Sequence, residues 1–207
     1  MTHSSKFWDW MASRYAKQAI ADETAYQKKL SLAQQYFDIN SRLLEFGCGT
    51  GSTAIHHAQA AGHIHATDIS SKMLAIAETK AKAAGLNNIS FEQTDLLELK
   101  SANQSWDAIF AMSILHLVAD KEAEIKKTYE LLKPGGVFIS STICIGDSGI
   151  GFKLLAFIFK FIPLLPSIVV FSQEQLIETL ESTGFSIETN WQPDENAAVF
   201  IVARKPR

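Results

Sequence analysis

Apolar residues fall along this chain in short runs, and the stretches between the runs read as helices. Residues 41–46, 63–68, 89–93, 106–112 and 137–142 are predicted strands. The third alternates apolar and polar residues, whereas the fourth is apolar almost throughout, as a buried parallel strand is. Helices are predicted at 52–61, 71–84 and 120–132, the last capped by Asp120 and the first two closed by Gly62 and Gly85. Residues 7–37 read as helical, with a break near Asp22 that can cap a second helix. Lys133-Pro134-Gly135-Gly136 turns the chain into the fifth strand. Strands alternating with helices predict βαβ units, hence an α/β fold with a mostly parallel sheet between two helical layers.

The C-terminal pattern differs. Ser172-Gln173-Glu174-Gln175 has the form of a capping box, opening a helix that ends before Gly184. Apolar segments at 185–191 and 197–203 follow, separated only by Gln192-Pro193-Asp194-Glu195-Asn196. A parallel pair needs a crossover of a dozen or more residues, so these two strands are antiparallel if they pair. One reversed strand at the end of a parallel sheet departs from the usual dinucleotide-binding arrangement.

The strand at 41–46 ends in an acid and breaks into glycines: Leu43-Leu44-Glu45-Phe46-Gly47-Cys48-Gly49-Thr50-Gly51, with a helix starting at Ser52. Glycine permits close backbone approach and the helix start offers unpaired N–H groups, so the segment is a candidate nucleotide-type site. Its spacing is G-x-G-x-G behind Glu45. Pyrophosphate binders use G-x-G-x-x-G, and Ser52 stands where their third glycine would be.

Composition narrows the class. A chain of 207 residues, 47% apolar and 20% charged, is the size and make-up of one globular domain. With a net charge of −3 and no block of Lys or Arg, it lacks the basic face that nucleic-acid tracking needs. Cys48 and Cys144 have no metal-ligand spacing and make no disulfide framework, so no metal site is expected. Residues 1–10 lack the apolar core of a signal peptide, and the expected compartment is the cytoplasm.

With these residues in place, the chain from about Phe7 to Arg204 resembles the class I S-adenosylmethionine-dependent methyltransferases, small-molecule branch, of the type 11/12 kind. Glu45-Phe46-Gly47-Cys48-Gly49-Thr50-Gly51 fits that family's acid-x-G-x-G-x-G, supported by Asp68 at the end of the second strand and Asp95 after the third. The resemblance implies a Rossmann-like seven-stranded sheet with a reversed C-terminal strand. It also implies S-adenosylmethionine as cofactor, leaving as S-adenosylhomocysteine. Gly47, Cys48, Gly49 and Gly51 would lie against its methionine portion, with Glu45 facing the ammonium group. Asp68 would accept from the ribose hydroxyls, Ile69 and Met73 would flank the adenine, and Asp95 with the Leu96 backbone would read its amino edge. Met112 ends the fourth strand, where the family places cofactor and substrate contacts. Tyr15 stands near the place where many relatives close a tyrosine over the methionine carboxylate; the acid that often follows it is Ala16 here.

His116, in Met112-Ser113-Ile114-Leu115-His116-Leu117, is the candidate proton acceptor for a substrate hydroxyl or amine. A histidine that packs and bonds to backbone is the competing reading. His56, His57, His63 and His65 read as surface or satisfied core residues. The chain is expected to be one domain over 1–207, with an N-terminal helical segment at about 5–37 and an apolar cap insertion at about 144–171. In that insertion Lys153 and Lys160 lie seven apart, on one helical face of an otherwise apolar run. It would cover a small apolar or aromatic methyl acceptor; contact with a membrane surface, as for a lipid or quinone-type substrate, or with a second copy through about 150–170 are the alternatives. Two lysines and two prolines punctuate a run too short for an expected span. A nicotinamide oxidoreductase and a non-catalytic cofactor-binding subunit are the competing function classes.

Overall fold

The computed structural model describes residues 3–147, 168–195 and 197–207, so Lys153, Lys160 and most of the expected cap lie outside the described residues. Seven strands share one sheet: β1 (Arg42–Phe46), β2 (His63–Asp68), β3 (Ile89–Gln93), β4 (Trp106–Met112), β5 (Leu132–Thr142), β6 (Ser186–Trp191) and β7 (Val199–Arg204). Their order is β3-β2-β1-β4-β5-β7-β6. Every pairing from β3 to β5 is parallel, while β7 runs antiparallel to both β5 and β6. The reversal follows from the short link between β6 and β7, which cannot carry a crossover.

Six described helices flank the sheet: α1 (His3–Tyr15), α2 (Glu23–Ala33), α3 (Ser52–His57), α4 (Ser71–Ala83), α5 (Lys121–Leu131) and α6 (Gln173–Thr183). Asp22 and Asp120 cap α2 and α5 by accepting from Ala25 and Ala123 N–H, both at 2.9 Å. Ser172 and Gln175 form the full capping box on α6, and Gly184 closes that helix in the left-handed region. Alternation along the strands sends Leu44, Phe46, Ile109 and Phe138 into one core with α5 and α6. It sends Leu43, Phe110, Ile139 and Phe200 into a second with α2, α3 and α4. The inner strands are therefore buried on both faces, and only the edge strands β3 and β6 are half-exposed.

Two local expectations change. Helix α3 stops at His57 and runs on as a 3-10 turn, Ala58–Ala60. Gly62 is not its left-handed cap: a Cβ there would stand 2.7 Å from the Ile39 carbonyl oxygen, so glycine is required for space. Strand β5 begins at Leu132, which pairs with Trp106, while Val137 pairs with Ala108. Residues 133–136 are thus a bulge inside the strand, where Pro134 owes the ladder no N–H.

His57 is core, but not satisfied. It is 1% exposed, with ring centroids of Phe37 and Phe110 at 5.1 and 5.3 Å, and neither ring nitrogen has a hydrogen-bond partner among the described residues. Burial, with His56 adding to it, pushes its pKa from 6.5 to about 3. The unfolded chain thus takes up a proton near neutrality that the fold refuses, and stability falls as pH drops from 6.5 towards 3. Replacing His57 by leucine removes a buried donor and acceptor left unpaired. It is expected to raise stability by about 1–3 kcal/mol at pH 7 and by more at pH 5, measured by urea unfolding. An unchanged acid limb would sink this account.

Among the described residues, no helix is long and apolar enough to cross a membrane, and no group of His, Cys, Asp and Glu is placed to hold a metal ion.

Candidate functional site

The chain leaves β1 at Phe46 and enters a turn in which Gly47, Gly49 and Gly51 have φ of 62°, 54° and 74°. Left-handed φ at every second residue is a conformation costly for any residue with a Cβ. Three neighbours hold the turn. Cys48 N–H donates to the Thr67 carbonyl at 2.9 Å, and Gly49 N–H donates to Asp68 Oδ2 at 2.8 Å. From α4, the Lys80 ammonium reaches Thr50 Oγ1 at 3.0 Å and its carbonyl at 3.3 Å.

Asp68, only 8% exposed, also takes the Ser70 N–H on Oδ1 at 2.8 Å. Burial nonetheless leaves its carboxyl above the usual range, against the lowering effect of those N–H groups. Each of its oxygens keeps a lone pair for a further donor. Glu45, 3% exposed, receives the Ala54 backbone N–H, while its Oε2 has no partner among the described residues. Burial first, and the nearby Asp68 charge second, push the Glu45 carboxyl up to about 8. Two buried acids beside a glycine turn oppose an anionic ligand and suit a cation or a set of hydroxyl donors.

Helix α1 closes one side. Asp9 accepts from Ser70 Oγ at 2.7 Å and Lys72 N–H at 3.1 Å, latching α1 to the start of α4. The Tyr15 ring is thereby laid over the turn, with Cε1 3.8 Å from where a Gly49 Cβ would be. Burial, Asp68 and Glu45, in that order, raise its phenol. From α2, Tyr26 brings a second phenol, its hydroxyl 3.4 Å from Thr53 Oγ1 and with Glu45 among the charges raising its pKa.

Residues 43–136 match the family described as "Methyltransferase domain". Over those residues the chain is similar to the class I S-adenosylmethionine-dependent methyltransferases. The seven-stranded sheet with its reversed β7 agrees with that match. The chain is 33% identical over 102 residues to the ubiquinone biosynthesis O-methyltransferase of Ruegeria pomeroyi, covering 49% of this chain and 41% of that protein. It is 32% identical over 142 residues to the demethylmenaquinone methyltransferase of Geobacillus kaustophilus, covering 65% and 59%. The chain spans about half the length of the curated relatives it matches. The crystal structure of the 4+2 cyclase SpnF superposes with a TM-score of 0.79 at 19% identity, covering 98% of this chain and 94% of that one, a likeness of fold alone.

Around the methyltransferase turn, the remaining candidates separate by burial. Met73 is 2% exposed, its N–H bonded to Ser70 Oγ at 3.1 Å. Ile69 is half-buried, and its carbonyl accepts from Gln93 Nε2 at 3.0 Å. Asp95 is exposed and caps the following turn through Glu98 N–H at 2.9 Å; the Leu96 side chain belongs to the core beside α5. Cys48 is a buried thiol whose pKa burial raises, so it is no nucleophile at neutral pH. Met112 is half-buried on the sheet face beneath α2. His116 lies on the other face: its Nδ1 is 3.1 Å from Thr142 Oγ1, and its carbonyl accepts from Val169 N–H at 2.9 Å. Burial lowers its pKa to about 4, so it is neutral at pH 7.

Sequence reading missed Asp9, Lys80 and Tyr26. Only Ser70, a serine ahead of a predicted helix, left a legible trace, as the N-cap it proves to be.

Proposed function

We propose that this protein transfers the methyl group of S-adenosylmethionine to a small aromatic acceptor of the quinone or hydroquinone type. The observation that carries the reading is the glycine turn at 47–51, clamped to the buried Asp68 carboxylate and preceded by Glu45, whose buried Oε2 has no partner among the described residues. These residues suit the cofactor: Glu45 for its ammonium, Asp68 for the ribose diol, and the backbone of Gly47, Cys48, Gly49 and Gly51 for the methionine portion. Ile69 and Met73 would flank the adenine, Asp95 and the Leu96 backbone its amino edge, and Tyr15 and Met112 the methionine end. A dinucleotide pyrophosphate fits poorly beside two buried acids. Bound there, S-adenosylmethionine supplies an already activated methyl. The chain's own task is alignment of the acceptor and exclusion of water. His116, bonded to Thr142 on the sheet face opposite Glu45 and Met112, lies away from that site, and the acceptor's proton would leave to solvent.

The acceptor class is supported by two relatives whose names place them in ubiquinone synthesis and demethylmenaquinone methylation. Calorimetric titration with S-adenosylhomocysteine tests the cofactor. The wild type is expected to bind, and Asp68→Ala to bind roughly 100-fold more weakly, because two hydrogen bonds to a charged group are worth about 1.5 kcal/mol each. No heat from folded wild-type protein, with tight NAD binding instead, would discard the reading. Transfer of labelled methyl to reduced menadione then tests the acceptor.

A further inference from the structure

Lys29 is a half-buried cation held only by neutral groups. Its ammonium donates to Ser141 Oγ at 2.9 Å and to the Ala198 carbonyl at 3.4 Å, and no carboxylate lies within ion-pair distance among the described residues. Desolvation lowers its pKa, and Asp22 on the same helix offsets this in part. The other lysines bonded to neutral oxygens have evident structural work: Lys80 clamps the glycine turn, and Lys205 bridges the Tyr129 and Leu132 carbonyls at the end of α5. Lys29 ties α2 to β5 and to the residue ahead of β7, with two of its N–H bonds. An ammonium has three N–H bonds, and here one is left over.

Its place in the fold gives that spare donor a use. In the sheet register Glu45 is paired with Phe110, and Met112 with Ser141. Alternation puts Glu45, Phe110, Met112 and Ser141 on one face, under α2. Met112 and Ser141 form a row near the C-terminal ends of β4 and β5, two residues beyond the row of Glu45 and Phe110, at the end of a parallel sheet where ligands bind. Neighbouring strands are about 4.8 Å apart, so Ser141 stands about 10 Å to the side of Glu45, with β4 between them, and two residues further along the sheet. Helix α2 spans the same interval from above. Tyr26 sits near Glu45 and Thr53, and Lys29, one turn later, reaches Ser141.

We propose that Lys29 is the acceptor-recognition residue, its ammonium holding the ionised ring hydroxyl of a phenol or hydroquinone beyond Met112. The assignment rests on the methyltransferase reading and adds to it the charge state of the acceptor. An ionised ring oxygen is the more nucleophilic form, at oxygen and at the ring carbons conjugated with it. Its proton is lost to solvent or to a neighbouring base, and Lys29 stays protonated as the counter-charge, which a half-buried site makes effective. A neutral apolar acceptor would leave the ammonium without an anion.

The probe is 4-nitrocatechol, whose phenolate band reports its ionisation directly, titrated into protein saturated with S-adenosylhomocysteine. The wild type is expected to bind it as the phenolate, strengthening that band at a pH where the free probe is partly protonated. Lys29→Met keeps the aliphatic stem and is expected to bind about tenfold or more weakly, with no gain in the band. Lys29→Arg is expected to keep the ionised form. All three proteins are expected to bind S-adenosylhomocysteine alike. Normal binding of that ligand with no ionisation of the probe by the wild type overturns the assignment, as does a Lys29→Met protein indistinguishable from wild type. If the wild type fails to bind S-adenosylhomocysteine at all, the methyltransferase reading falls and this assignment falls with it.

Discussion

Glu45→Gln is expected to stabilise the free protein at alkaline pH while weakening cofactor binding. Burial lifts the Glu45 carboxyl from 4.5 to about 8, so the fold retains a proton that the unfolded chain has released. Stability therefore declines as pH rises between those two values, at up to about 1.4 kcal/mol per unit, and the full cost is present above pH 8. Asp68, raised in the same direction, adds to the slope. Glutamine keeps an oxygen for the Ala54 N–H but never ionises. Its buried amide costs about 1–3 kcal/mol of the gain, leaving a net rise of about 1–3 kcal/mol at pH 8 and none near pH 5. Binding moves the other way, since an amide cannot neutralise the cofactor's ammonium. A loss of about 10- to 100-fold in S-adenosylhomocysteine affinity is expected. Wild-type binding at pH 7 should also expel roughly one proton, seen by calorimetry in buffers of different ionisation enthalpy. A stability difference that ignores pH, or proton release that persists in the variant, would refute the argument.

Gly47→Ala is expected to lose both stability and cofactor binding, and a second substitution should return part of the stability. An alanine Cβ at this place would lie 2.5 Å from Ile114 Cγ1 and 2.7 Å from its Cδ1, and the backbone has φ +62°. The left-handed conformation costs about 1–2 kcal/mol and the overlap about 1–3 kcal/mol. Any relief that moves the turn breaks its bond to Asp68, so S-adenosylhomocysteine binding should fall at least about 100-fold. Ile114→Ala removes the overlapping atoms but not the backbone cost. The double variant is therefore expected to be about 1–2 kcal/mol more stable than the sum of the single effects. Strict additivity in urea unfolding would show that the clash relaxes freely and that only the backbone conformation matters.

Much of the fold was legible because local chemistry controls it. The strands at Ile89–Gln93 and Trp106–Met112 were bounded correctly by their apolar runs, and the C-terminal reversal follows from the length of one link. Where a neighbour from elsewhere decides, local reading failed. Gly62 looked like a helix cap, but its constraint comes from the Ile39 and Ser41 carbonyls outside the helix. Pro134-Gly135-Gly136 looked like a turn, yet Leu132 already pairs with Trp106 and makes the segment a bulge. In the site, the glycines and Asp68 were visible as a motif and do come together. The groups that support them were not visible, because Asp9 meets Ser70 across 61 residues and Lys80 meets Thr50 across 30.

The amino-acid sequence by itself determined the order of the elements, the antiparallel hairpin and the glycine turn, since periodicity, loop length and freedom of φ are properties of adjacent residues. It also determined which acids stand at the ends of β1 and β2. Tertiary structure alone decided their state. Glu45 holds its proton, His57 refuses one, and Lys29 lies under solvent-excluding neighbours 112 residues away in sequence from the Ser141 it bonds. Those properties come from desolvation and from distance to other charges, and both are set only when remote segments pack against one another.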